Sequence, residues 1–195
     1  MTINELIFAT SNQNKVKEVN EMLKGTAKVH SLKDIGFEEE LPETQPTIEG
    51  NAKQKAETLF QLLGKDCFAE DTGLVVPALD GAPGVYSARY AGPQRNDQDN
   101  MNLLLQNLEN KTDRSAHFKT VVALVINGVT HTFEGIAEGK IIEQAAGEKG
   151  FGYDPIFQPK GYDRTFAQMD AKEKGTISHR AKAIRKLLTF IEENS

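Results

Sequence analysis

The apolar and polar positions divide the chain into short segments with distinct periods. Leu6-Ile7-Phe8-Ala9 is a continuous apolar run of strand length, and it stops at the polar loop Thr10-Ser11-Asn12-Gln13-Asn14. From Lys15 the spacing changes to helical, with Val16, Val19, Met22 and Leu23 on one face and Gly25 closing the pattern. Val29 to Leu32 reads as a second strand. Thr47 is placed as the N-cap of a helix whose stripe is Ala52, Ala56, Leu59, Phe60 and Leu63, closed by Gly64. Another helix is predicted from about Asp97 to Leu108, with Met101, Leu104, Leu105 and Leu108 inward. Phe118 to Ile126 is a long β-branched run, and Asn127-Gly128 marks a type I′ hairpin back into Val129–Phe133. Ile184, Leu187, Leu188 and Ile191 stripe a final helix, with His179 and Arg180 in its first turn. Strands alternating with helices, interrupted by one hairpin, predict an α/β fold with a mixed central β-sheet flanked by helices.

Composition narrows the class. A chain of 195 residues forms one domain or two closely joined lobes. Its formal net charge of -5 disfavours broad binding to a nucleic-acid backbone. One cysteine leaves no disulfide framework and no multi-cysteine zinc site. With no long apolar run and no signal-peptide pattern, a cytoplasmic protein is expected.

The segment with chemistry in it is Cys67 to Gly92. Its first apolar run, Cys67-Phe68-Ala69, ends in Glu70 and Asp71, and an exposed acidic turn is the plain reading of such a pair. Carboxylates at the end of a buried strand instead need a partner or a cation. Hard oxygen ligands suit Mg²⁺, especially with substrate phosphates in the coordination shell. One further feature points towards an anionic substrate, and a second polar pair lies beside an apolar helix stripe where a solvated face is the plain reading. Strand, loop and helix in that order place backbone N–H groups of residues 10–15 at a helix N-terminus, with Lys15 beside them. Asn51 and Lys55 lie four apart on one side of their helix. The first loop lacks the glycines and the Gly-Lys-Ser/Thr ending of a P-loop. His117 and His131 lie in strands and read as structural.

Six separated pieces, in order, carry a resemblance over nearly the whole chain. They are Ala9-Thr10-Ser11-Asn12 with Lys15; Asn51-Ala52 with Lys55; Asp71-Thr72-Gly73-Leu74; Gly81 to Tyr90 (GAPGVYSARY); Gly150 to Phe157 (GFGYDPIF); and Ile177-Ser178-His179-Arg180. The chain resembles the inosine triphosphate pyrophosphatases, the Ham1-type house-cleaning enzymes. The resemblance implies an elongated two-lobed single domain, spanning residues 1–195, with a central cleft. It also implies a homodimer and a Mg²⁺-dependent hydrolysis of ITP, dITP and XTP to the monophosphate and pyrophosphate. By motif, Asp71 is the implied general base and a metal ligand, with Glu70 and Glu43 as further metal ligands. Thr10, Ser11, Asn12, Gln13, Asn14, Lys15, Lys55 and Thr72 are implied to hold the triphosphate. Phe151, Gly152, Tyr153, Asp154, Lys174, His179 and Arg180 are implied for base and ribose.

Two positions depart from the family pattern. Relatives more often carry two aspartates before the Thr/Ser-Gly, where this chain has Glu70. The stretch after Glu43-Thr44 lacks the glycine many relatives have. On this reading Glu70→Gln is a mild change, partly rescued by raised Mg²⁺. Accepting inosine and xanthine while rejecting guanine requires a donor facing purine C2, with Arg180 as first candidate and His179 as second. Three other functions remain: a nucleotide-binding module without turnover, a nucleic-acid-binding protein, and a pyrophosphatase for modified pyrimidine nucleotides.

Overall fold

The computed structural model describes residues 5–23 and 27–194. Gly25, expected to end the first helix, lies outside them. Among the described residues one six-stranded sheet runs, in spatial order, Lys28–Ser31, Glu5–Phe8, Cys67–Val75, Ser115–Ile126, Val129–Ile141 and Phe157–Pro159. Backbone contacts divide the chain into two compact units. The first is Met1–Asp71, Thr120–Gly135 and Arg180–Ser195; the second is Thr72–Lys119 and Ile136–His179.

In the first unit β1 (Glu5–Phe8) pairs in parallel with β2 (Lys28–Ser31) and with the start of β3 (Cys67–Val75). Phe8 and Phe68 are register partners and stack at 4.5 Å, which fixes where β3 lies against β1. Helix α1 (Gln13–Leu23) begins two residues earlier than the apolar spacing suggests. Asn12 is the cause: its Oδ1 accepts the N–H groups of Asn14 (3.0 Å) and Lys15 (3.3 Å), so helix starts directly after it. Val16, Val19 and Leu23 bury their face against Leu6, Phe8 and Phe68, and Ala183, Ile184, Leu187 and Ile191 of α5 (His179–Glu193) complete this core. Helix α2 (Ile48–Leu63) has the caps its sequence announces. Thr47 accepts from Gly50 N–H, and Gly64 ends the helix in the left-handed conformation. Two polar residues, Asn51 and Lys55, are buried along with Ile48, Ala52, Ala56 and Leu59.

The second unit has its own core. Leu74 of β3 and Val76 just after it, Met101, Leu104 and Leu108 of α3 (Asp97–Asn107) and its C-cap, and Phe118, Phe157 and Phe166 all belong to it. Phe118 meets Phe157 edge-on at 4.7 Å. Strands β4 (Ser115–Ile126) and β5 (Val129–Ile141) form the hairpin, with Asn127 and Gly128 both at positive φ, as a type I′ turn demands. Strand β5 continues well past Phe133, where the alternation of the sequence fades. Its partner there is β6 (Phe157–Pro159), antiparallel, with Gly139 opposite Pro159 and Ile141 opposite Phe157. That pairing is remote in sequence and leaves no local signal.

One expectation is overturned. Glu70-Asp71 neither ends a strand nor forms a turn; β3 runs unbroken for nine residues through both carboxylates. Strand period puts Glu70 and Asp71 on opposite faces of the sheet, and both are buried.

Candidate functional site: a buried charge cluster and an aromatic turn

In the first unit each face of β3 carries its own ion network. Glu70 is fully buried, and its carboxylate is gripped by Arg180: Nε donates to Oε2 at 2.7 Å and Nη2 to Oε1 at 2.9 Å. Lys15 adds a contact to Oε1 at 3.1 Å, and Arg180 Nη1 donates to Glu18. Burial opposes the charge on Glu70, yet Arg180 and then Lys15 outweigh it and hold its carboxyl well below the usual range. The Lys15 ammonium is pushed down, by burial first and by Lys55 and Arg180, against the pull of Glu70.

Asp71 belongs to the other network. Asn51 Nδ2 donates to its Oδ2 at 3.4 Å, and Lys55 Nζ stands 3.5 Å from its Oδ1. Lys55 also donates to Glu43 Oε1 at 2.6 Å and to the Glu70 carbonyl at 2.8 Å. Asn51 is itself aimed by accepting Gln45 N–H at 2.9 Å. Burial raises the Asp71 carboxyl, with Glu43 adding to the effect and Lys55 and Lys15 opposing it. Two adjacent carboxylates thus have pKa values driven apart, one locked as an anion and the other made more basic.

Two residues expected to meet metal or substrate have protein partners in this geometry. Glu70, expected as a metal ligand with Asp71, faces the opposite way along the strand, and its oxygens engage Arg180 and Lys15. Arg180, expected near the purine, follows His179 directly in the chain. The residue is 1 % exposed, and its guanidinium engages Glu70 and Glu18. The loop Thr10-Ser11-Asn12 is folded onto the start of α1, with Asn12 N–H bonded to Thr10 Oγ1 at 3.2 Å. Gln13 and Asn14 are in the helix's first turn, not in the loop.

The second unit gathers Phe151, Gly152, Tyr153, Asp154, Lys174 and His179. Asp154 accepts Phe151 N–H at 2.9 Å and pairs with Lys174 at 2.7 Å, both carboxylate and ammonium being buried. Lys174, on α4 (Ala171–Ile177), also lies over the Phe151 ring, 5.1 Å from its centroid. Tyr153 turns inward and donates its hydroxyl to Ser87 O at 2.8 Å. His179 is stacked on Phe118 at 4.5 Å. Thr72 begins this unit, directly after Asp71. Gly150 is at φ +78, and a Cβ on it would collide with the Asp154 carboxylate. Gly150→Ala is therefore expected to cost about 1–3 kcal/mol, the scale of a strained backbone position, read as a lowered midpoint in urea unfolding.

Sequence reasoning missed Glu18, Ser87 and Asp97. Glu18 had a signal, three residues from Lys15 on the same helical face. Ser87 and Asp97 had none that singles them out. Among the described residues no group of three or more His, Cys, Asp or Glu side chains is arranged to hold a metal ion. No described helix is long and apolar enough to cross a membrane.

A strand–loop–helix start, with half-buried Lys15 and buried Lys55 each paired to carboxylates in the same unit, marks a class: α/β proteins suited to receive a polyanion. The profile of the Ham1 family matches residues 6–190, and the chain belongs to that family. A dITP/XTP pyrophosphatase of Flavobacterium psychrophilum is 56% identical over 188 residues, covering 96% of this chain and 99% of that protein. The dITP/XTP pyrophosphatase of Bacillus subtilis is 47% identical, covering 96% of this chain and 97% of its own length. The solved structure of the Staphylococcus aureus Ham1 protein superposes with a TM-score of 0.90 at 39% identity, over 98% of this chain and 100% of that one.

Proposed function

We propose that this chain is a nucleoside triphosphate pyrophosphohydrolase, which cleaves ITP, dITP and XTP to the monophosphate and pyrophosphate and so cleanses the nucleotide pool. The relatives' names and their near-complete coverage support the substrate class. The observation that carries the chemistry is the placement of Lys55 between Glu43 and Asp71, with Lys15 and the capped start of α1 in the same unit.

The donor set fits a divalent cation. Glu43 and Asp71 are hard oxygen donors, and the Lys55 ammonium already satisfies both, marking where positive charge is wanted. The carboxylates Glu18, Glu43, Glu70 and Asp71 also outnumber the cations Lys15, Lys55 and Arg180 by one. Glu43 and Asp71 would hold Mg²⁺, which when bound supplies neutralisation of the phosphate oxygens and polarisation of the attacked phosphorus. Asp71 is the general base for the attacking water, and its contact with Asn51 keeps the carboxylate oriented. Lys15, Lys55 and the residues Thr10 to Asn14, with Thr72, bind the triphosphate. Phe151 stacks on the base, and Gly152, Tyr153, Asp154, Lys174 and His179 shape its surroundings. In this reading Arg180 and Glu70 hold the first network in place. The enzyme is a cytoplasmic homodimer working through residues 1–195 as one domain.

A panel of nucleoside triphosphates assayed for pyrophosphate tests the proposal. ITP, dITP and XTP should release pyrophosphate under Mg²⁺, and free phosphate only when inorganic pyrophosphatase is added. Turnover confined to modified pyrimidine nucleotides would replace the purine reading, and binding without turnover would leave a nucleotide-binding module.

A further inference from the structure

The turn from Gly150 to Asp154 is fastened at more points than its own residues provide. Asp154 holds Phe151 N–H, Lys174 holds Asp154, and the Tyr153 hydroxyl reaches Ser87 O. One more fastening comes from α3. Asp97, the first residue of that helix, directs its Oδ2 to the N–H of Gly152 at 2.7 Å across 55 residues of sequence. Capping of α3 does not require this carboxylate, because the Asn96 side chain accepts Asp99 N–H at 2.9 Å. Helix α3 is anchored by Met101 and Leu104 in the core of the second unit, so Asp97 ties the turn to a fixed support.

We infer that Asp97 is a positioning residue for substrate binding: its charge-assisted bond to Gly152 sets the orientation of the Phe151 ring before the nucleotide arrives. The inference rests on the proposed reading of Phe151 as the residue that stacks on the base. The Phe151 ring has Lys174 on it and is partly exposed. Its backbone is held on one side by Asp154 and, through the next peptide, on the other by Asp97. Losing the second hold lets the turn sample orientations that do not stack, and binding must then restore the ordered one. That cost falls on association and leaves the Asp71 chemistry untouched.

The test is steady-state kinetics with ITP under saturating Mg²⁺ for the wild type, Asp97→Ala, Asp97→Asn and Asp99→Ala, with thermal unfolding alongside. Asp97→Ala is expected to raise KM about 10–150-fold, the range of a lost hydrogen bond to a charged group, with kcat and Tm close to wild type. Asp97→Asn keeps an acceptor oxygen and should recover most of the affinity. Asp99→Ala removes a charge from the same helical turn without touching Gly152 and should leave KM unchanged. A wild-type KM in Asp97→Ala, an equal defect in Asp99→Ala, or a loss expressed in kcat and Tm instead of KM overturns the inference. A wild type that releases no pyrophosphate from any nucleotide overturns the functional reading first, and this inference with it.

Discussion

Asp71→Asn is expected to lower kcat at least about 10²-fold, the scale on which loss of a general base is felt, while the protein stays folded. The substitution keeps the shape of the side chain, and an amide oxygen can still accept from Asn51. Lys55 keeps Glu43 and the Glu70 carbonyl as partners, so no buried ammonium is stranded. Burial already disfavours the Asp71 anion, and removing it therefore costs little stability. What disappears is the proton acceptor and one anionic metal donor. Initial rates on ITP at saturating substrate, with Mg²⁺ varied, separate the two losses. A defect that persists at high Mg²⁺ is the signature of the missing base. Near-wild-type turnover at saturating Mg²⁺ would place the base elsewhere.

Most of the fold could be read from local signals, because the forces that set it act over a few residues. Thr47, Gly64 and Asn127-Gly128 act within a turn of the backbone, and each ends or starts an element as its chemistry requires. The stripe of α1 and that of α5 repeat at helical spacing and reach one core. What the sequence does not carry is pairing at a distance. Strand β6 is three residues long and invisible without β5 beside it. The misreading at Glu70-Asp71 has the same origin. Two charges in a strand look like its end until their partners are known, and the chief partner of Glu70 is Arg180, 110 residues away.

The candidate site was legible as a set of residues and much less as a set of contacts. Motif resemblance named Lys15, Lys55, Asp71, Asp154 and Lys174, and the structure places these in three networks, two in the first unit and one in the second. Resemblance gave no face to any of them. Period-2 geometry alone would have parted Glu70 from Asp71 once a single strand was accepted through both. The partners of Arg180 had to come from the fold, since a histidine–arginine pair at a helix start reads equally as a ligand contact or as an internal ion pair.

Glu70→Gln carries the second large effect, and on stability more than on chemistry. The sequence suggests a mild variant rescued by Mg²⁺; the structure makes Glu70 the counter-charge of a fully buried guanidinium. An amide in its place can accept at one oxygen only, and its NH₂ then faces an Arg180 or Lys15 donor. Removing one partner of a buried ion pair costs about 3–5 kcal/mol, which for a chain of this size lowers Tm by something of order 10 °C. Mg²⁺ should not restore it, because the lost interaction is not with a metal. Glu18 moderates the loss by remaining on Arg180, and its carboxylate is partly exposed to solvent. The pair can be isolated with Glu70→Met, Arg180→Met and the double variant. Replacing both ions removes the stranded charge, so the double variant should be more stable than the sum of the single losses predicts, by about 1–3 kcal/mol. Additive losses in urea unfolding, or recovery of Glu70→Gln by Mg²⁺, would return Glu70 to the metal.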